Sequence, residues 1–210
     1  MKTFLTTIIV ALLGHCLAAQ DYGVRIDPKS GFEARLTASG AATRSIVCRM
    51  KMVRRSAMLS GTVETEGTFY YSRPGRICML FDHPKGDLLL ISNGTIKSVT
   101  GGHTTVASSA RNPAIRQVND MITSCMTGNV SFWEKSSTTE YYEDATAYTV
   151  VITPTAQRVQ RYISRMVLRF DKADMTLDTL TMHEKNGDLT TYTYHGKQVN
   201  AEIDPSVFDL

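Results

Sequence analysis

From residue 45 onward, apolar residues fall on every second position. Ile46, Cys48, Met50 and Met52 alternate with Val47, Arg49, Lys51 and Val53. A period of two sends the two sets to opposite faces of an extended chain, so this stretch reads as a strand with one apolar face. The pattern returns where Ile77, Met79 and Phe81 oppose Arg76, Cys78, Leu80 and Asp82. Further strand-like runs cover 63–71, 88–91, 96–100, 139–142, 148–153, 163–170, 177–184 and 189–194. Asn93-Gly94 and Asn186-Gly187 each join two of these runs, and both residue types tolerate the positive φ of a tight hairpin.

Two segments break the alternation. Residues 21–43 hold a short amphipathic candidate helix with Phe32 and Leu36 four apart. Farther on, Asn112 can cap a helix and Pro113 suits its first turn. Ile115, Val118, Ile122 and Cys125 then recur at helical spacing, and the helix should end near Gly128. No repeat or composition shift marks a boundary, so residues 20–210 read as one domain. The expected class is mainly β (α+β): a long antiparallel meander forming a strongly curved sheet or barrel, with two helical insertions against one side.

The first twenty residues, MKTFLTTIIVALLGHCLAAQ, read as a targeting segment. Lys2 supplies a positive start, residues 4–13 are apolar but too short to span a bilayer, and Leu17-Ala18-Ala19 offers small residues for cleavage. A signal peptide over 1–19, cut near Ala19-Gln20, is expected, with export of the mature chain. The rival is a lipoprotein signal acylated at Cys16, against which the bulky His15 argues.

The formal net charge is +3, with Lys and Arg scattered, which does not suit a nucleic-acid binder. Cys48, Cys78 and Cys125 remain after cleavage. They are odd in number and lack CxxC spacing, so buried small hydrophobes are expected, or one disulfide and a free thiol. His15, His83, His103, His183 and His195 show no metal-ligand spacing, and no catalytic motif occurs. Glu64, Glu66, Glu143 and Asp144 read as solvated carboxylates in polar loops. An enzyme is not supported. Ten methionines occur, with Met50, Met52, Met79, Met166 and Met182 on expected strands. They serve either as core filler or as a cavity wall that repacks around a flexible apolar ligand.

Residues 69–84, FYYSRPGRICMLFDHP, place Arg73 between two apolar half-segments. GTFYYSRPGRICMLFDHP resembles a segment of the LolA-type periplasmic carriers of outer-membrane lipoproteins, with apolar residues flanking an Arg-Pro pair. LLLISNGTIKSV is similar to that family's strand–turn–strand, although its turn is Asn-Gly in place of Asp-Gly. NPAIRQVNDMITSCMTGNVSFW occupies the position of the family's lid helices. VLRFDKADMTLDTLTMHEKNGDLTTYTYHGKQVNAEIDPSVFDL resembles the closing meander. The likeness runs from about Phe32 to Phe208. Tyr71 and Met79 stand where the family commonly has tryptophan.

The resemblance implies an unclosed antiparallel β-barrel with helices forming a lid over a hydrophobic cavity. It implies a non-enzymatic periplasmic carrier without cofactor or metal, whose cargo is the acyl chains of lipoproteins. The donor would be an inner-membrane ABC transporter, and the acceptor an outer-membrane receptor or the membrane itself. Arg73 is implied as a latch, donating to lid backbone from beneath the lid. Phe69, Tyr71, Ile77, Met79, Phe81 and Leu90 are expected to line the cavity. Ile115, Val118 and Ile122 are expected to close it from the helical side. The rival readings are a carrier of another apolar cargo, such as a glycolipid or lipid-linked pigment, and an exported lipid hydrolase.

Overall fold

The computed structural model describes residues 22–58, 61–108, 110 and 113–209, without the side chains of 113–115, 117–119 and 122. The expected signal peptide, its cleavage site and the capping role of Asn112 lie outside these residues. Among the described residues, twelve strands form one antiparallel sheet. In chain order they are β1 (Val24–Arg25), β2 (Ser45–Arg55), β3 (Thr62–Ser72), β4 (Arg76–Phe81), β5 (Leu88–Ser92), β6 (Thr95–Thr100) and β7 (His103–Ser108), then β8 (Ser137–Glu143), β9 (Ala147–Pro154), β10 (Ile163–Asp171), β11 (Leu177–Glu184) and β12 (Leu189–Val199). Their order across the sheet is β1-β8-β9-β10-β11-β12-β2-β3-β4-β5-β6-β7. Almost every neighbour in space is a neighbour in sequence, as expected of hairpin-linked strands. The sheet does not close, since β1 and β7 form its two edges.

Among the described residues, four helices accompany the sheet: α1 (Phe32–Ala42), α2 (Pro113–Thr127), α3 (Val130–Ser136) and α4 (Gln157–Gln160). A 3₁₀ turn at Pro205–Phe208 follows the last strand. The two expected helical insertions are therefore an undercount. Gly128, at φ 62°, ends α2, and Asn129 restarts the chain as a helix by accepting the Phe132 N–H at 3.1 Å. β7 also escapes sequence reading. Its residues are mostly polar on both faces, and it forms because the Gly101-Gly102 turn folds it onto β6. Glu64, Glu66 and Glu143 sit on strands, not in loops. Glu64 and Glu66 pair with Lys51 and Arg49 on the neighbouring strand, and Glu143 pairs with Lys172.

Register assigns the faces. Ile46, Cys48 and Met50 pair with Tyr71, Phe69 and Gly67, which pair in turn with Ile77, Met79 and Phe81. This inner face joins Phe32 and Leu36 of α1, Met121 and Cys125 of α2, and Val130 and Trp133 of α3 in one apolar core. Gly67 is needed where it stands, because a Cβ there would lie 2.2 Å from the Leu80 carbonyl oxygen and 3.0 Å from Met50 Cε. The outer face carries a second, smaller cluster of Cys78, Leu90 and Phe208. There the Arg76 guanidinium lies 4.7 Å from the Phe208 ring centroid.

Candidate functional site

Helices α1 and α2 meet over one end of the inner face, close enough that two glycines are needed there. A Cβ on Gly40 would fall 2.2 Å from the Thr127 carbonyl oxygen, and one on Gly128 would fall 2.4 Å from Leu36 Cγ. The last carbonyls of a helix have no partner within it, and the last turn of α1 carries no basic residue of its own. Other elements supply the donors. Arg73 Nη2 donates to the Gly40 carbonyl, Asn200 Nδ2 donates to the Ala42 carbonyl at 3.2 Å, and the Thr43 N–H and hydroxyl both reach Ser39 O. Arg73 thus contacts α1, at the junction that it shares with Thr127 and Gly128 of the α2–α3 corner. The residue is exposed. It lies at the rim of the helical layer, so its bond works as a charge at a helix C-terminus and not as a buried ion.

Beneath this junction the space is nearly filled. A residual cavity of about 20 Å³ touches Leu36, Gly40, Cys48, Phe69, Tyr194 and Lys197. That is room for about one water molecule. Lys197 reaches it because the pairing of β12 with β2 slips between His195 and Gln198, and its ammonium pairs with Asp178. Burial pushes the Cys48 thiol up to about 12, despite the opposing charge of Lys197. Burial also pushes the Cys125 thiol up to about 12. Both sulfurs stay protonated and behave as small apolar groups.

The other end of the helical layer is open. A pocket of about 380 Å³ runs between α2, the α4–β10 corner and β11. Its floor is Met166, Leu180 and Met182; Met121 and Cys125 of α2 wall one side and Ile163 the other. Arg161, Tyr162, Glu184, Lys185 and Asn186 form the mouth. The mouth is held by polar bonds: the Lys185 N–H donates to the Tyr162 carbonyl at 2.9 Å. Asp188 accepts the Ala57 N–H at 2.9 Å and Arg54 Nη2 at 2.9 Å. The pocket's size is in the range of small-molecule sites, and its wall is apolar and polarisable. Among the described residues, no three or more His, Cys, Asp or Glu side chains come together as metal ligands.

Phe69, Tyr71, Ile77 and Met79 lie on the inner face, as the alternation predicts, but at 0–5% exposure they are packed against neighbours. Phe69 touches the small residual cavity, and its ring meets Tyr194 edge-on at 5.0 Å. Phe81 is half-buried at the margin of the same core. Leu90 is a correction. It pairs with Cys78 and packs beneath Phe208 on the outer face, while Leu89 and Ile91 point inward. The run Leu88-Leu89-Leu90-Ile91 is apolar throughout, so its sequence cannot say which residues face in. Ile115, Val118 and Ile122 belong to α2, but their side chains lie outside the described residues. Of the methionines singled out from the sequence, Met166 and Met182 form the pocket floor, whereas Met50 fills the core. Met121, Ile163 and Leu180 carried no signal that would have set them apart from core residues.

Residues 53–210 match the family model described as outer membrane lipoprotein carrier protein LolA. No curated protein matches the chain by sequence. In fold, the chain is similar to an uncharacterized conserved protein from Thermus thermophilus. The TM-score is 0.51 at 8% identity, over 87% of this chain and 94% of the other. It is similar also to a putative outer membrane lipoprotein-sorting protein domain from Vibrio parahaemolyticus, at TM-score 0.44 and 11% identity over 84% and 95% of the two chains. A LolA superfamily protein from Nitrosomonas europaea gives TM-score 0.43 and 7% identity over 85% and 97%.

Proposed function

The chain belongs to the LolA family of outer membrane lipoprotein carriers, and on that premise we propose that it is a periplasmic, non-catalytic chaperone for the acyl chains of lipoproteins. In this reading it takes cargo from an inner-membrane ABC transporter and delivers it to an outer-membrane receptor or to the membrane. The observation that carries the reading is the methionine-floored pocket between α2 and β10–β11. Moving acyl chains through water costs about 0.8 kcal/mol per exposed CH₂, so a carrier has to shield them. Unbranched, polarisable methionine side chains fit that task because they repack around a flexible chain.

The two ends of the helical layer then have different roles. The mouth at Tyr162 and Lys185 admits the chain. The tight crossing of α1 and α2 at Gly40 and Gly128, with Arg73 on the Gly40 carbonyl, holds the rest of the inner face shut. Longer or additional chains enter the packed region around Phe69, Tyr71, Ile77 and Met79 only as α1 lifts. Binding and a competing closed state together keep affinity low enough for release.

Mass spectrometry of the protein taken natively from periplasm tests the reading. Co-purified acylated lipoprotein is the expected result. A protein free of lipid and showing esterase activity would overturn it in favour of a hydrolase.

A further inference from the structure

The mouth of the methionine pocket is not neutral. Arg161 and Lys185 line it, both are exposed, and among the described residues neither side chain has a hydrogen-bond or ion-pair partner. They are brought to one mouth by the bond from the Lys185 N–H to the Tyr162 carbonyl, which ties the β11–β12 turn to the residue after Arg161. Among the described residues that line it, Glu184 is the one carboxylate, and it is already engaged. Its oxygens lie 3.7 Å from Arg54 Nη2 and 3.4 Å from Thr190 Oγ1. Arg54 is shared with Asp188, which is itself held by the Ala57 N–H. The acids of the mouth are thus compensated, and two cations are left over. Tyr162, 62% exposed, stands between them and the apolar wall. An aromatic ring with a polar tip suits the level where a chain meets its headgroup.

We propose that the pocket takes a single amphiphile whose chain lies among Met121, Met166 and Met182 and whose anionic headgroup sits between Arg161 and Lys185. The proposal rests on the pocket being an acyl-chain site, and it adds the charge of the headgroup. This ligand is additional to a lipoprotein, whose acylated end of esters, a thioether and an amide brings no anion to this position. A fatty-acid carboxylate or a lipid phosphate does. Both are oxyanions that accept from Lys as a point charge and from Arg as a planar fork.

The test uses displacement of bis-ANS from the full exported chain at low salt and about pH 8, where a carboxylate is ionised. The probes are palmitate, its methyl ester and a lysophosphatidate of the same chain length. Palmitate or the lysophosphatidate is expected to bind about tenfold tighter than the ester, a difference of about 1.4 kcal/mol. Comparing the two acids tells carboxylate from phosphate. Arg161→Gln combined with Lys185→Gln should erase the advantage by weakening the two acids about tenfold more than the ester, as should raised salt in the wild type. Equal binding of acids and ester would overturn the headgroup inference and leave the carrier reading standing. So would equal weakening of all three probes by the double substitution. If no probe displaces the dye, both fall together.

Discussion

The indole N–H of Trp133 donates to the Ser124 hydroxyl at 2.8 Å, and that hydroxyl donates to the Met121 carbonyl at 2.6 Å. All of this is buried: Trp133 is 0% and Ser124 3% exposed. The relay pins α3 to α2, and Met121 at its end faces the open pocket. Ser124→Ala leaves the indole N–H without an acceptor in the core. A loss of about 1–3 kcal/mol is expected from urea unfolding. Trp133 is the single tryptophan, so its fluorescence reports the change directly. Trp133→Phe combined with Ser124→Ala should recover part of the hydrogen-bond cost, which a double-mutant cycle resolves.

Arg73→Leu removes the donor that reaches the Gly40 carbonyl. Because the arginine is exposed, the stability change should be small, roughly 0.3–1 kcal/mol, the range for a cation at a helix C-terminus. The functional change should be larger. Acyl uptake rises because the closed state weakens, and cargo is retained when outer membranes are added. Lysine should rescue in part, since it keeps the charge but lacks the fork. Weaker loading with unimpaired release would mean that Arg73 is not a latch.

Gly40→Ala drives a methyl group into the Thr127 carbonyl, a backbone atom that cannot rotate away. α1 and α2 have to separate, at a cost of about 1–3 kcal/mol by the measure of overpacked cores. Native bis-ANS fluorescence should rise as the inner face opens. Gly61→Ala is the control. A Cβ there meets nothing within 4 Å, and its unfolding free energy should stay within about 0.5 kcal/mol of wild type.

Met182→Trp fills the pocket from its floor. Met182 is only partly buried, so the larger ring has open volume to enter and folding should survive. Affinity for bis-ANS and for acyl probes should fall by about tenfold or more, a loss of at least about 1.4 kcal/mol, against unchanged near-UV circular dichroism. Undiminished binding would place the chain site elsewhere on the inner face.

Arg169 beside Asp144, together with the N–H groups of Thr146 and Ala147, holds the Asp144 carboxyl well below the usual carboxylate range. A depressed folded pKa stabilises the native state fully above the unfolded value of about 3.9. That contribution is lost as pH falls below it, towards the folded pKa. Wild type should therefore exceed Asp144→Asn in urea midpoint at neutral pH. The gap should narrow progressively once pH drops under about 4.

How far the sequence carries is visible in single residues. Alternation alone sends Phe69, Tyr71, Ile77 and Met79 to one face, and they share it in the fold. Alternation is silent at Leu90, where four consecutive apolar residues leave the face to be set by pairing with Cys78. Arg73 is marked by its apolar neighbours, yet the sequence cannot name Gly40 as its partner, 33 positions away, because no local rule links them. Met166 and Met182 are conspicuous on predicted strands. Their joining Met121 and Ile163 around an opening depends on where α2 crosses the sheet.

Side-chain period and turn chemistry act within a few residues, so the antiparallel meander, its Asn-Gly hairpins and its apolar face could be read directly from the chain. Which part of that face is filled and which is hollow could not, because packing between distant elements sets it. The close contacts of Gly40 with the Thr127 backbone and of Gly128 with the Leu36 side chain fill one end, whereas a pocket stays open between α2, the α4–β10 corner and β11 at the other. That difference arises from distances between elements far apart in the chain, and it is what leaves the pocket open.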